Sequence, residues 1–305
     1  MASKLVLLGL LANLLVYTDA QSVGVCNGRI GNNLPSEQDV VTLYRNNGIK
    51  KMRIYDPNQA TLRALKGTNI ELILGVPNDA LQSLTDQNAA NRWVRDNIQN
   101  YPDVRFKYVA VGNEVDPNNE SRRYVNFPHP TPPGKGAFRD NVRGFIEPII
   151  KFLAQNNLPM LANIYPYFGY LGDPNANLRY ALFTAPGTVV NDNGRQYSNL
   201  FDAMLDAHYA AQARLGGANV NIVVSETGWP SAGGRGASIE NARTYYSNLI
   251  QHVKGTTGTP TKPGRSIETY LFAMFDENRK DGAETEKHFG IFYPNKQPKY
   301  RLSFN

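Results

Sequence analysis

The sequence predicts an α/β protein in which strands and helices alternate, with a single β/α barrel as the favoured architecture. Short apolar, β-branched runs alternate with amphipathic stretches along the whole chain. The strand candidates are too apolar to have one solvated face, as in a parallel sheet covered on both sides. Polar residues follow several different strands, which favours a barrel over a doubly wound sheet, where the site gathers at one switch point.

Seven segments have strand-like composition, whereas a closed barrel of this type needs eight strands. They are Val23–Cys26, Lys51–Tyr55, Glu71–Val76, Tyr108–Gly112, Met160–Tyr165, Ile222–Ser225 and Thr269–Phe275.

Six amphipathic segments between the strands are predicted to be helices. They are Ser36–Asn46, Gln59–Leu65, Asp86–Gln99, Ala137–Asn156, Asn199–Leu215 and Ile239–His252. In the first of these, Ser36 and Asp39 have the spacing of a capping box.

The first twenty residues resemble a secretory signal. Lys4 precedes the apolar stretch Leu5–Val16, and Thr18-Asp19-Ala20 is a small-x-small cleavage site. The apolar stretch is too short to span a membrane. We therefore expect a signal peptide over residues 1–20 and one mature domain over residues 21–305. A single cysteine, Cys26, leaves the mature chain without an internal disulfide, which a core of this size allows.

Composition and motifs exclude several classes of function. The net charge is +6, but no basic run is longer than two residues, which argues against nucleic-acid binding. Dinucleotide, phosphate-loop and nucleophile-elbow signatures are missing, and so are paired His or Cys residues at metal-ligand spacing. We expect no cofactor and no metal.

Two glutamates stand at the ends of separate apolar strands. Glu114 follows Tyr108–Gly112 and Asn113, whose amide could hold a substrate hydroxyl, and Glu226 follows Ile222–Ser225. A lone Glu at a strand end is usually solvated or caps a helix. Two such residues form the layout that glycoside hydrolysis needs, with one acid for the leaving oxygen and one carboxylate for the oxocarbenium-like carbon.

Aromatic residues cluster at the same strand ends, where they would surround a cleft. Sugar rings present apolar C–H faces that stack on aromatic side chains. Core packing explains any one of these residues, but not the whole Tyr-Pro-Tyr-Phe-Gly-Tyr run. The residues are Tyr55, Tyr165, Tyr167, Phe168, Tyr170, Trp229 and Phe275.

Taken together, these segments resemble family 17 of the glycoside hydrolases, the plant endo-1,3-β-glucanases. The likeness covers nearly all of the mature chain. Its segments are Val23–Cys26, Met52–Asp56, Val111–Glu114, Ala162–Phe168, Val224–Ser231, Phe275–Asn278 and Phe289–Pro294.

The resemblance implies a TIM-type (β/α)8 barrel with Glu114 as acid/base and Glu226 as nucleophile. It also matches Tyr55 to a cleft aromatic, and Glu277, Lys280 and Glu286 to a charged cluster beside the two carboxylates. A solvated charge run is the alternative explanation of that cluster, and the resemblance makes it the less favoured one. The implied protein is a secreted, extracellular monomer acting on 1,3-β-glucan in the apoplast or cell wall rather than the vacuole, in defence or callose turnover.

The interval after Glu114 departs from the family. Residues 115–136 show no periodicity and contain five prolines. The segment Thr131–Phe138, which resembles a family segment, follows Glu114 more closely than in the family, by roughly one βα unit. We therefore expect a barrel that is defective around its fifth βα unit, between Tyr108–Gly112 and Met160–Tyr165. Tyr124–Phe127 is the only strand-like stretch available to fill the gap.

Two alternatives to a 1,3-β-glucanase remain open at this stage. Loss of the fifth unit could leave a glucan-binding pseudoenzyme without turnover. The chain could also hydrolyse mixed 1,3;1,4-β-glucan, because the shape of the cleft decides between these substrates.

Overall fold

The computed structural model describes residues 23–115, 132–173 and 176–304. The predicted signal peptide, Asn119 with its glycosylation sequon and the strand-like stretch Tyr124–Phe127 lie outside these ranges. Within them, the alternation of strands and helices predicted from the sequence is confirmed.

Seven parallel strands form the central sheet, in the order β4-β3-β2-β1-β9-β8-β5. They are β1 (Val23–Cys26), β2 (Lys51–Ile54), β3 (Glu71–Val76), β4 (Arg105–Val111), β5 (Met160–Asn163), β8 (Ile222–Thr227) and β9 (Thr269–Leu271). Four of them, β1, β2, β8 and β9, are buried at every position, including Lys51 and Arg53 of β2 and Glu226 of β8.

The sheet is curled, because the ends of its two outermost strands approach each other. Asn163 at the end of β5 donates hydrogen bonds to Asn113 Oδ1 (3.2 Å) and Glu114 Oε1 (3.1 Å), which both follow β4. Within the described ranges, no backbone ladder joins β4 to β5. Val111 of β4 is accordingly 46% exposed. In the described ranges the barrel sheet has seven strands and none pairs β4 with β5, which agrees with the predicted incomplete barrel.

Eight α-helices lie along the described chain: α1 (Glu37–Asn46), α2 (Gln59–Leu65), α3 (Gln87–Val94), α4 (Asp140–Gln155), α5 (Pro166–Gly172), α6 (Leu178–Ala181), α7 (Leu200–Ala213) and α8 (Ile239–Lys254). Ser36 caps α1 as predicted, since its Oγ accepts a hydrogen bond of 3.2 Å from the Asp39 N–H. The predicted helix Asp86–Gln99 is α3 continued by a π-helical turn over Arg95–Gln99.

Two helices and a hairpin of two strands were not predicted from the sequence. The aromatic run after β5 forms the short helix α5 instead of an extended strand end, and α6 follows it. A hairpin of β6 (Val190–Asp192) and β7 (Arg195–Tyr197) lies outside the barrel sheet. These elements pack against α7, which is buried at twelve of its fourteen positions.

The amino-terminal end of the barrel interior contains a network of ion pairs. Lys107 Nζ lies 2.9 Å from Glu71 and 3.2 Å from Glu268, and Lys51 Nζ lies 3.7 Å and 3.4 Å from the same two carboxylates. Arg105 adds a third cation, with its Nη2 3.6 Å from Glu71. The charged residues at the carboxyl ends of the strands form a separate group.

Candidate active site

Glu226 is a buried carboxylate at the carboxyl end of β8, only 4% exposed. Its Oε2 accepts a hydrogen bond of 2.8 Å from the Tyr165 hydroxyl. Its Oε1 lies 2.9 Å from Nη1 of Arg53. Burial raises the pKa of Tyr165 well above its ordinary value, so this hydroxyl remains a donor. One carboxylate is therefore held by a cation and a phenol.

Arg53 lies beneath the site on β2 and is 2% exposed. Its Nη1 donates to the Ser225 carbonyl (2.9 Å) and to Asn163 Oδ1 (3.2 Å), and its Nη2 donates to Asn113 Oδ1 (2.8 Å). Its guanidinium also lies over the Tyr55 ring, 4.7 Å from the centroid. These contacts fix a buried positive charge directly against Glu226.

Glu114 follows β4 and faces the open side of the barrel. The residue as a whole is exposed, yet its carboxyl group is surrounded by protein atoms. This desolvation, together with the negative charge of Glu226, raises the pKa of the Glu114 carboxyl. The hydrogen bond from Asn163 acts in the opposite direction. The Glu114 carboxyl group therefore favours its protonated form, whereas Glu226 is paired with the Arg53 cation.

Glu277, Lys280 and Glu286 form one charged cluster. Glu277 is 3% exposed and accepts a hydrogen bond of 2.7 Å from the Ile30 N–H. Lys280 Nζ lies 3.9 Å from Glu277 and 3.8 Å from Glu286, and it stands over the Phe272 ring at 4.1 Å. Burial raises the pKa of both carboxyl groups, while Lys280 partly opposes that effect.

Two of the aromatic residues predicted to contact substrate belong to the core, which corrects that expectation. Trp229 and Tyr167 have no exposed surface, and their ring centroids are 5.0 Å apart. Trp229 also packs against Tyr245 at 5.5 Å and donates through Nε1 to the Gly236 carbonyl. A residue that is buried completely offers no face to a sugar.

Of the other predicted aromatics, Tyr55 and Phe168 are only partly buried. Tyr165 is 6% exposed and directs its hydroxyl at Glu226. Tyr170 and Phe275 are also buried. The exposed aromatic surface of the site is therefore smaller than the sequence suggests.

Sequence reasoning missed Arg53, Asn163 and Asn78 as site residues. A signal for Arg53 was present, because it interrupts the apolar segment around Met52 and Ile54 with a charge. Nothing in the spacing indicated the two asparagines, since their contacts arise from the packing of β3 and β5 on either side of β4.

No metal centre is found in the part of the chain that the structure describes, where no three His, Cys, Asp or Glu side chains are grouped to hold an ion.

Two segments of the chain, residues 23–130 and 124–304, match the family model described as glycosyl hydrolases family 17. The overlap of the two matches falls in the interval that departs from the family. A match that ends and restarts within the chain is typical of a missing internal segment.

Close relatives are known among plant proteins. The chain is 54% identical to a glucan endo-1,3-β-glucosidase of Vitis vinifera over 334 aligned positions, covering 98% of this chain and 96% of the relative. It is 52% identical to glucan endo-1,3-β-glucosidase A of Solanum lycopersicum, with 99% and 98% coverage. Because 334 positions exceed the 305 residues of this chain, the grape protein has residues that this chain lacks.

Two solved structures share the fold. CJP38, a β-1,3-glucanase and allergen of Cryptomeria japonica pollen, superposes with a TM-score of 0.88 at 45% identity, covering 93% of this chain and 99% of that one. A structure from a pair of plant β-glucan endohydrolases with distinct substrate specificities superposes with a TM-score of 0.87 at 44% identity, covering 92% and 99%.

Proposed function

This chain belongs to family 17 of the glycosyl hydrolases, and we propose that it is an endo-hydrolase of 1,3-β-D-glucosidic linkages that retains the anomeric configuration. The relatives that cover almost the whole chain are named as glucan endo-1,3-β-glucosidases. The substrate is a 1,3-β-glucan.

The observation that carries the residue assignment is the contrast between the two carboxyl groups. Glu226 is held against Arg53 and Tyr165, whereas desolvation raises the pKa of Glu114. Two carboxyl groups whose surroundings differ in this way divide the roles of nucleophile and acid.

In the first step, a Glu226 carboxylate oxygen attacks the anomeric carbon while Glu114 gives its proton to the departing glycosidic oxygen. The carbon–oxygen bond to the leaving chain breaks, and a glycosyl ester on Glu226 forms. In the second step, the Glu114 carboxylate takes a proton from water as that water attacks the same carbon. The ester bond then breaks, and both residues regain their starting protonation states.

The retaining assignment requires carboxyl groups close enough for direct attack. We predict that the carboxyl groups of Glu114 and Glu226 lie about 5 to 5.5 Å apart, because a wider gap would admit the water of an inverting mechanism.

A groove rather than a closed pocket is expected, since an endo-acting enzyme lets a polymer pass the cleavage point in both directions. Tyr55 and Phe168, with their partly exposed rings, and the amide of Asn113 are the proposed sugar contacts. Glu277, Lys280 and Glu286 would hydrogen-bond sugar hydroxyls beside the two catalytic carboxyl groups.

We also propose secretion to the extracellular space as a monomer, with a role in plant defence or callose turnover. The support for secretion is the signal-like segment over residues 1–20. No helix in the described ranges is long and apolar enough to cross a membrane.

A reducing-sugar assay tests the function directly. The secreted chain is incubated with a linear 1,3-β-glucan and, in parallel, with a mixed 1,3;1,4-β-glucan. Oligosaccharides of several lengths from the linear polymer are expected. Glucose as the exclusive product would contradict endo action, turnover of only the mixed polymer would reassign the substrate, and binding without turnover would identify a pseudoenzyme.

A further inference from the structure

In the described ranges, β4, the strand that precedes Glu114, pairs with another strand on one side only. β4 pairs with β3 through a ladder that ends with the Gly112 N–H donating to the Val76 carbonyl at 3.1 Å. On the other side of β4, the described ranges contain no pairing strand. A strand at the end of a sheet has fewer contacts to fix its position than a central one. Something else must hold the turn on which the acid/base is placed.

Asn78 extends the ladder by one step through its side chain. It lies just beyond β3, at the start of a short 3-10 helix, Asn78–Ala80. Its Nδ2 donates to the Asn113 carbonyl at 2.7 Å, and its Oδ1 accepts from the Asn113 N–H at 2.8 Å. One side-chain amide thus satisfies both backbone groups of the residue before Glu114, as a neighbouring strand would.

The turn that Asn78 holds has an unusual backbone. Gly112 has φ +83° and Glu114 has φ +48°, and the left-handed region is uncommon for a glutamate. A Cβ at Gly112 would also lie 2.6 Å from Val115 Cγ2. This conformation directs the Glu114 side chain towards β5, so its precision depends on the groups that hold Asn113.

Asn163 holds the carboxyl group of Glu114 from the opposite side of the gap. Its Oδ1 accepts from Arg53 Nη1 at 3.2 Å and from Ser225 Oγ at 3.0 Å. An arginine can only donate, so the amide orientation is fixed and Nδ2 must face acceptors. Those acceptors are Asn113 Oδ1 at 3.2 Å and Glu114 Oε1 at 3.1 Å.

We propose that Asn78 and Asn163 are positioning residues for Glu114, Asn78 holding the backbone before it from the β3 side and Asn163 holding its carboxyl group from the end of β5. This inference rests on the proposed function, in which Glu114 is the acid/base. Neither asparagine exchanges a proton with the substrate, and both act only through Glu114.

The test compares two substrates that differ in their need for an acid. Asn78→Ala and Asn163→Ala should each lower kcat on 1,3-β-glucan about tenfold to a hundredfold, because small misplacements of a catalytic group have effects of that size. A 2,4-dinitrophenyl β-glucoside oligomer has a leaving group that departs without protonation, so its glycosylation rate should fall far less. An equal loss on both substrates would indicate a general structural effect and overturn the proposal.

Isosteric variants cover the case in which an alanine variant does not fold. Asn78→Asp keeps the acceptor for the Asn113 N–H but loses the donor to the Asn113 carbonyl. Asn163→Asp keeps the acceptor for Arg53 but loses the donor to Glu114. The same selective loss on the glucan is expected. Matched controls, Asp79→Ala beside Asn78 and Asn156→Ala at the end of α4, should retain wild-type kinetics on both substrates.

A direct titration separates failure of this inference from failure of the proposed function. If the wild-type chain turns over neither substrate, the proposed function is wrong. The hydrogen bond from Asn163 to Glu114 can still be measured by carboxyl 13C NMR of the full chain. The Glu114→Gln variant assigns the Glu114 signal. Loss of the Asn163 donor should raise the pKa of Glu114, because that hydrogen bond favours the carboxylate. An unchanged pKa in Asn163→Ala would overturn the role of Asn163.

Discussion

The hydroxyl of Tyr165 donates a 2.8 Å hydrogen bond to Oε2 of Glu226, which joins a residue just beyond β5 to a carboxylate on β8. Asn163 pairs with Glu226 in the β5–β8 register, and the Ile164 N–H donates to the Glu226 carbonyl at 2.8 Å. The proposed nucleophile therefore lies in a paired strand, at a point where the β5–β8 register shifts. The proposed acid/base follows β4, for which the described ranges contain a pairing strand on one side only.

Removing the Tyr165 hydroxyl should impair chemistry without unfolding the protein. Tyr165→Phe keeps the ring, which packs against Phe168, Phe272 and Phe289. It removes a hydrogen bond to a charged group, worth about 1.5 to 3 kcal/mol. We expect kcat to fall about tenfold or more and Tm to fall by several degrees, as a loss of that size implies, while the protein stays folded. A variant with wild-type kcat would show that Arg53 alone suffices to hold Glu226.

The pH dependence should reflect the raised pKa of Glu114. The proposed mechanism requires a protonated Glu114, and desolvation with the charge of Glu226 raises the pKa of its carboxyl group. We expect the alkaline limb of kcat/KM to lie above about pH 4.3, the ordinary glutamate pKa. In Glu114→Ala, azide should restore turnover of an activated aryl glycoside and yield a glycosyl azide. An unchanged alkaline limb in that variant would assign the acid to another group.

The same shift makes a prediction about stability. A carboxyl whose pKa is raised by folding stabilises the native state below its unfolded pKa, and this contribution is lost as the pH rises through the folded pKa. Glu114→Gln, which stays neutral, should therefore have a higher Tm than the wild type at pH 7 and nearly the same Tm at pH 4. Glu240→Gln, an exposed substitution on α8, is the matched control and should change neither. A lower Tm for Glu114→Gln at pH 7 would contradict the desolvation of this carboxyl.

The correction at Trp229 separates core aromatics from substrate contacts. Trp229→Ala should cost about 3 to 5 kcal/mol of unfolding free energy, as large deletions in a core do. Phe168→Ala, at a partly exposed ring, should instead raise KM for glucan with a smaller loss of stability. Denaturant unfolding and initial-rate kinetics on both variants measure the contrast. A large rise in KM with unchanged stability in Trp229→Ala would indicate that Trp229 contacts the substrate.

The open side of the barrel should be visible in hydrogen exchange. Amide groups of β5 and of the outward-facing side of β4 have fewer ladder partners than those of the central strand β1, which pairs with β2 and β9. We expect them to exchange faster under native conditions. The Tm should also lie below that of relatives with a complete barrel. Equal hydrogen-exchange protection of the amides of β1, β4 and β5 would contradict unpaired edges at β4 and β5.

The sequence predicts the strands where composition alone determines burial. β1 and β3 have the predicted bounds, because their apolar runs end at polar or turn residues. β9 is shorter than predicted, since the apolar run continues past Leu271 into core contacts outside the ladder. The hairpin β6–β7 was missed although Asn193 and Gly194, with φ +50° and +85°, form an Asn-Gly turn. Its flanking strands are too polar to show an apolar alternation.

In the candidate site, too, some residues are predictable from the sequence and others only from the fold. Glu114 and Glu226 were identifiable because each follows a recognisable strand. The contacts that distinguish them depend on Arg53 and Asn163, which lie on β2 and β5 and meet only when the sheet curls. Burial of Trp229 likewise depends on α5 and α8 closing over the segment after β8, which no local pattern encodes.

Covalent trapping tests the central claim, that Glu226 is the nucleophile of a retaining hydrolase, most directly. The protein is incubated with a 2-deoxy-2-fluoro β-glucoside that has an activated leaving group, and the intact mass and the labelled peptide are measured. We predict one added fluoroglycosyl group, on Glu226, and none in Glu226→Gln, whose glucan turnover should fall by about a thousandfold or more while the fold is kept. A label on any other residue would contradict this assignment.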